Sequence, residues 1–358
     1  MNGPGTLSLF GYTPAIAALV AAHPGGYAPG RVVRSDRGYV FVMTAGGLVV
    51  ARPATRLVKA ADDGGMPVVG DWVLLGGDDT EPLVEVVLER TTAIARRDPG
   101  RAARIQVLAA DVDIVLITHP LAEAPNLSRI ERELALVWDS GATPVIVLTK
   151  SDLCVDPNAA RDEVLEVAPG VDILVASVVT GDGLDEVRVC LVPGRTVVLI
   201  GPSGSGKSTL INALAGEDIR ETREVRLADG RGRHTTVSRE LIPLPGGALV
   251  IDTPGLRAVG MWDSYEGLSQ AFSDIEGIAE GCRFRDCSHD GEPGCAVEAA
   301  VAAGELPERR LASFRELRAE IAYVNEQQDV KARQERKRGD KMLARTIKDY
   351  YRHEHGRR

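Results

Sequence analysis

Gly201-Pro202-Ser203-Gly204-Ser205-Gly206-Lys207-Ser208 is the stretch that decides the fold class. It has the spacing G-x-x-x-x-G-K-[S/T], the apolar run Val197–Ile200 precedes it, and the helical stretch Thr209–Ala215 follows. Strand, glycine-rich turn and helix start together make a phosphate cradle. Glycines let the backbone wrap closely, and the loop N–H groups and helix N-terminus favour negative charge. The lysine reaches the outer phosphates and the hydroxyl after it ligates magnesium. Gly201, Ser203, Gly204, Ser205, Gly206, Lys207, Ser208 and Thr209 are therefore candidate nucleotide-binding residues, with Lys207 stabilising charge in the reaction. A chance match in a glycine-rich loop is the competing reading, and the flanking strand and helix weigh against it.

Downstream, Asp252-Thr253-Pro254-Gly255 follows the apolar run Ala248–Ile251. That is where phosphate-loop proteins place a magnesium-holding aspartate, here Asp252, and a glycine N–H for the γ-phosphate, here Gly255. Between the two motifs lies the basic loop Gly230-Arg231-Gly232-Arg233-His234-Thr235-Thr236. Either threonine would complete the magnesium shell with Ser208 and Asp252, Thr236 being preferred. Leu256 stands where Ras-like enzymes carry a water-orienting glutamine. His234, the one histidine in the loop, is the candidate for that role, since an imidazole can position water or accept its proton near neutral pH.

Upstream, Thr149-Lys150-Ser151-Asp152 ends another apolar run and matches [N/T]-K-x-D. Its aspartate would accept from the guanine N1–H and exocyclic amine, a pair adenine does not present. Thr149 stands where asparagine is commoner, and Ser177, in the following loop, sits where a backbone N–H would meet guanine O6. The base motif precedes the phosphate motif, the reverse of an ordinary GTPase. The sheet is therefore expected to be circularly permuted, with Asp113–Thr118, Pro144–Thr149, Val171–Ala176, Thr196–Ile200 and Ala248–Ile251 as strands and Leu127–Asp139 as a crossover helix.

Five short β-type runs, Arg31–Arg34, Tyr39–Thr44, Leu48–Arg52, Asp71–Leu75 and Leu83–Glu89, suggest a small barrel, either oligonucleotide-binding or a plain spacer. Thr91–Arg104 is polar and arginine-rich and reads as a linker. Ala15–Ala22 suits a short packed helix better than a signal peptide, and a cytoplasmic location is expected. The domains are set at 1–30, 31–92, 93–262 and 263–358. A hydrophobic fraction of 44% with 26% charged residues fits a globular chain of 358 residues. The net charge of −9 hides an asymmetry. From Lys331 to Arg358 the sequence has eleven Lys or Arg against four Asp or Glu, which points the tail at nucleic-acid phosphate.

Cys282, Cys287, His289 and Cys295 crowd into a Gly- and Pro-containing loop, a donor set suited to one closed, structural zinc per chain. Cys154 and Cys190 read as small core residues. Beyond the cluster, Leu311, Phe314, Leu317 and Ile321 make an apolar helical stripe.

The motif order, with Cys-Arg-Phe-Arg-Asp-Cys-Ser-His at Cys282–His289 and Glu292–Val297 after it, resembles the ribosome small subunit-dependent GTPase A (RsgA) family across essentially the whole chain. The resemblance implies an α/β architecture: a circularly permuted P-loop GTPase domain, an N-terminal five-stranded OB-type β-barrel and a C-terminal helical zinc-binding domain. It implies Mg2+ with GTP, Zn2+, action late in small-subunit maturation on the subunit and its rRNA, stimulation of hydrolysis by that subunit, and a catalytic role for His234. A monomer is expected. An ATP-driven nucleic-acid motor and a non-hydrolysing RNA-binding protein are the rival readings. Asp152 weighs against the first, and the intact Lys207, Ser208 and Asp252 against the second.

Overall fold

The computed structural model describes residues 5–36, 38–60, 64–77, 80–98, 101–216, 239–252, 265–323 and 325–326. The first unit is a closed barrel of β1 (Ala28–Asp36), β2 (Tyr39–Thr44), β3 (Gly47–Pro53), β4 (Trp72–Gly77) and β5 (Pro82–Val87). Each expected strand is present. The strands run in the order β1-β2-β3-β5-β4, and β4 pairs back onto β1 to close the ring. The β3–β5 pairing is parallel and the others are antiparallel, the oligonucleotide-binding arrangement. Alternation sends Val32, Val40, Val42, Ala51, Val73, Leu75 and Val84 inward to fill the barrel. Trp72, Leu74 and Leu88 point the other way and are covered by Leu7 and Ile16 of two N-terminal helices, Gly5–Ser8 and Pro14–Ala21. The second begins with Thr13 accepting from the Ile16 N–H and with Pro14 in the first turn.

The expected linker over 91–104 is instead most of a hairpin, β6 (Ala93–Asp98) with β7 (Arg101–Ala110). Arginine-rich composition hid it, while Ile94, Val107, Leu108, Ala109 and Ala110 at its base are buried.

β8 (Ile114–Pro120), β9 (Thr143–Thr149), β10 (Asp172–Ala176), β11 (Thr196–Ile200), β12 (Glu240–Pro243) and β13 (Leu249–Asp252) form the second sheet in the order β10-β9-β8-β11-β13-β12. All pairings are parallel except β12 with β13. The helix Leu127–Asp139 joins β8 to β9. Asn126 caps it by accepting from the Arg129 N–H at 3.0 Å, and Ile130, Leu134 and Val137 are buried. The edge strand β12, which the sequence pattern did not reveal, pairs with β1 at Arg34 and Glu240, so barrel and sheet are one continuous hydrogen-bonded surface.

The C-terminal unit packs helices Tyr265–Ala271, Ser273–Ala279, Ala296–Ala303 and one over 308–323. Leu311, Phe314, Leu317 and Ile321 of the last are buried, as their spacing predicts. This unit is locked to the helix Leu127–Asp139. A Cβ on Gly267 would lie 2.2 Å from the Ala135 carbonyl oxygen, so only glycine permits the crossing. Beside it, the buried Glu131 meets Arg310 at 2.9 Å, and Arg310 also pairs with Asp274 at 2.8 Å. No helix among the described residues is long and apolar enough to cross a membrane.

One buried side chain reinforces the strand pairing between barrel and sheet. Arg31 is buried and donates to the carbonyls of Phe10 at 2.6 Å, Gly70 at 3.0 Å and Asp111 at 3.1 Å, and to the Thr196 hydroxyl at 2.7 Å. It thereby ties the N-terminal segment, a barrel loop, the end of β7 and the start of β11 together. Burial pulls its pKa down to about 10, with Asp111, Asp113 and Asp71 opposing, so it stays charged at neutral pH. Arg31→Met leaves these acceptors without their donor and is expected to cost about 3 kcal/mol of unfolding free energy, toward the upper end for loss of a buried, multiply bonded group. An unchanged urea midpoint would show the joint to be dispensable.

Candidate functional site

Parallel pairing brings the C-terminal ends of β8, β9, β10 and β11 side by side, and the sequence-identified motifs lie on the loops that leave them. The crevice outside the carboxyl ends of such a sheet is where ligands bind in open α/β folds. The loop after β11 runs into the helix Lys207–Ala215. Gly201, Gly204 and Gly206 all take positive φ, at +134°, +80° and +86°, which suits glycine and lets the chain curl over the helix start. Ser203, Gly204, Ser208 and Thr209 are exposed, whereas Ser205 is fully buried beneath the loop. Lys207 folds across the loop, its Nζ donating to the Gly201 carbonyl at 2.9 Å, the Pro202 carbonyl at 2.7 Å and the Ser205 Oγ at 3.2 Å.

The base motif reaches the phosphate loop through Thr149, the last residue of β9. Its buried hydroxyl donates to the Ser205 carbonyl at 2.6 Å, with the His119 carbonyl a longer acceptor at 3.3 Å. Threonine at this position thus ties the base motif to the phosphate loop. Lys150 then takes a left-handed φ of +57°, turning the chain into the short helical turn Ser151–Leu153 that presents Asp152 to solvent. From the loop after β10, buried Ser177 donates its hydroxyl to the Asp152 Oδ1 at 2.5 Å, while its own N–H goes to the Asp182 carbonyl at 2.9 Å. Ser177 therefore contributes a hydroxyl that aims Asp152, where the sequence suggested a backbone N–H.

Asp252 ends β13, opposite Glu240 of β12. His234, Thr235, Thr236, Gly255, Leu256 and the basic tail from Lys331 to Arg358 lie outside the described residues. Thr118, two residues before the end of β8, touches the loop yet belongs to none of the sequence motifs. The available signal was positional: a polar residue closing an apolar strand next to the one that feeds the phosphate loop.

The chain is similar throughout to known proteins. Residues 87–262 match the family model described as RsgA GTPase. A small ribosomal subunit biogenesis GTPase RsgA from Streptomyces coelicolor is 46% identical over 333 residues, which cover 92% of this chain and 90% of the relative. The chain belongs to the RsgA GTPase family. A second relative so named, RsgA 2 from Lactiplantibacillus plantarum, is 41% identical over 96% of this chain and 97% of its own. The crystal structure of YjeQ from Thermotoga maritima superposes with a TM-score of 0.62 at 26% identity, covering 83% of this chain and 99% of that one. That of YloQ, a circularly permuted GTPase, gives 0.58 at 25% identity, covering 85% and 97%. As in RsgA GTPases generally, the activity is hydrolysis of GTP.

A second cluster lies in the C-terminal unit, where one donor atom each from Cys282, Cys287, His289 and Cys295 falls within 4.8 Å of the others. The His289 Nδ1 is 3.7 Å from the Cys282 sulfur and 3.5 Å from that of Cys295. His289 holds a left-handed φ of +60° to face inward. Burial, then the charge of Arg318, pushes its pKa down, keeping the imidazole in the neutral form a ligand needs. Backbone N–H groups of Ala296 and Glu298 point at the sulfurs of Cys282 and Cys295, at 3.3 and 3.4 Å. Glu292 braces the loop, accepting from the N–H groups of Ser288 and Asp290 and from the Ser288 hydroxyl; these bonds hold its carboxyl down at about 2. The group can bind a metal ion. Cys154 and Cys190 sit partly buried against the cores, as expected of packing residues.

Proposed function

We propose that this chain is a GTP-hydrolysing factor of small ribosomal subunit biogenesis, acting late in maturation, engaging the subunit and its rRNA with GTP bound and leaving after hydrolysis. The observation that carries the reading is the meeting of Lys207, Thr149, Asp152 and Ser177 at one end of the parallel sheet, in permuted chain order. In this reading the loop Gly201–Ser208 holds the phosphates, and Lys207 exchanges its loop carbonyls for β- and γ-oxygens. Ser208, Asp252 and Thr236 hold Mg2+, Gly255 meets the γ-phosphate, and Asp152, aimed by Ser177, reads guanine. Hydrolysis by purified chain with and without small subunits is the direct test. Stimulation by the subunit supports the reading, and identical rates overturn the ribosomal part of it.

Asp152→Asn reverses the donor–acceptor match to the base edge. It is expected to weaken GTP binding at least tenfold, since an unpaired polar contact costs about 1–3 kcal/mol, and to admit xanthosine triphosphate. Retained preference for GTP over the xanthine nucleotide would remove Asp152 from base recognition.

For the metal group we assign one structural zinc. Three sulfurs and one imidazole nitrogen are the donors zinc prefers in closed sites, and Zn–S and Zn–N lengths of about 2.3 and 2.0 Å imply ligand separations close to those of His289 from its two sulfurs. Structural zinc supplies folding free energy, so Cys287→Ala is expected to lose the metal and unravel the C-terminal unit while GTP still binds. Metal analysis of purified protein should return one zinc per chain; none would refute the assignment.

Leu256 leaves the attacking water without the usual glutamine, and we assign that role to His234, whose imidazole can position water or accept its proton near neutral pH. His234→Ala is expected to lower subunit-stimulated hydrolysis at least a hundredfold, the lower end for a positioned acid–base group, with GTP affinity and subunit binding kept. Undiminished stimulation would transfer the role to another group.

A further inference from the structure

Thr118 lies under the phosphate loop. It is fully buried near the end of β8, one residue beyond the Ile117–Ile200 pair that joins β8 to β11. Its hydroxyl donates to the Ile200 carbonyl at 2.8 Å and contacts the Ser205 Oγ at 2.7 Å. A threonine hydroxyl carries a single hydrogen. With that hydrogen on the Ile200 carbonyl, Ser205 must be the donor to Thr118. Lys207, which can only donate, then gives an N–H to Ser205 at 3.2 Å. The donations run one way: from Lys207 to Ser205, from Ser205 to Thr118, from Thr118 to the carbonyl that opens the loop. Both hydroxyls are closed off from water.

Two other contacts fix the same unit. Gly201 packs so tightly on Thr118 that a Cβ there would lie 2.2 Å from the threonine carbonyl oxygen and 2.6 Å from its hydroxyl. From the other side, Thr149 holds the Ser205 carbonyl. Ser205 is thus gripped by its backbone from β9 and by its side chain from β8, while the loop it supports faces solvent.

We propose that Thr118 is a positioning residue for nucleotide binding. By accepting the hydrogen bond of the Ser205 hydroxyl it fixes the serine with a lone pair toward Lys207 and sets the curvature of the loop. The loop is then held in shape before nucleotide arrives, with Ser205 keeping one contact to Lys207 while the lysine exchanges its loop carbonyls for phosphate, and less ordering cost is charged to binding. This rests on the reading that Gly201–Ser208 holds the phosphates of GTP.

The test is titration of GTP and GDP, with magnesium, into the full chain and its variants. Thr118→Val keeps the shape and removes the hydroxyl from both the Ile200 carbonyl and Ser205, and is expected to raise both dissociation constants together by about tenfold, the effect on binding of leaving the buried Ser205 hydroxyl unmatched. Thr118→Ser, which restores the hydroxyl, should return both to within about twofold of wild type, and the ratio of GTP to ATP affinity should not move because Asp152 is untouched. In a Ser205→Ala background, Thr118→Val should change affinity by no more than about twofold, since its partner is already gone. Ser205→Ala leaves the bond from Thr118 to Ile200 in place and gives a second route to the same loss should Thr118→Val fold poorly. Wild-type affinity in Thr118→Val or in Ser205→Ala, no rescue by serine, or the same loss with and without Ser205 would overturn the assignment. A wild-type chain that binds neither nucleotide overturns it together with the proposed function, whereas normal binding by all variants overturns it alone.

Discussion

The parallel ladder through β10, β9, β8 and β11 is the constraint on which the site depends. Parallel pairing fixes which strand ends lie at one edge and is indifferent to the order in which the chain visits them. The base motif on β9 can therefore precede the phosphate loop on β11 without moving either relative to the sheet. What must be kept is the lateral order and the register, Ile117 against Ile200 and Ile146 against Ile117. Permutation changes where the chain is cut, and so what is attached at the new ends. The barrel enters before β8, and the C-terminal unit follows β13.

Those attachments are rigid for different physical reasons. The barrel meets the sheet by strand pairing, which satisfies backbone groups of the edge strand β12 that would otherwise be open to another chain, and Arg31 adds two directional bonds from the barrel, to the Asp111 carbonyl and the Thr196 hydroxyl. The donors and acceptors match, so a buried cation there is tolerated at the desolvation cost its lowered pKa reports. β12 is also the strand that follows residues 217–238, which include His234. Glu240, two residues past that segment, pairs with Arg34 of the barrel, and the helix Lys207–Ala215 precedes it in the chain.

Much of this was legible because the informative patterns are local. Phosphate loop, base motif and candidate metal ligands are short strings recognisable by spacing, and five alternating runs match the barrel strands to within a few residues. Other features depend on distant partners. The pairing order that closes the barrel, with β3 beside β5, is written in no single segment. β12 has four residues and ends in Pro243, too short for a period to register. The hairpin β6–β7 reads as a linker over 91–104 because the arginines of that stretch outweigh Ile94, its one large apolar residue. Arg31 and Glu131 resemble any surface charge until their partners, up to 179 residues away, are in place. Thr118 belongs to the same class: its role arises only when β8 lies beside β11.

The joint with the C-terminal unit shows what buried charge is for in this fold. Glu131 and Arg310 are both almost completely shielded, and ion pairs in such places commonly gain little over apolar residues of the same volume, because desolvation offsets the attraction. Stability alone does not account for the choice. Arg310 is held by Glu131, both oxygens of Asp274, the Ala271 carbonyl and the face of Phe272 at 4.1 Å. A slide of one helical residue along Leu127–Asp139 would leave a buried carboxylate unpaired, which apolar packing would not penalise so sharply. Gly267 enforces the same register sterically. The C-terminal unit is therefore keyed to one position on the helix that links β8 to β9, the strands that carry Thr118 and Thr149.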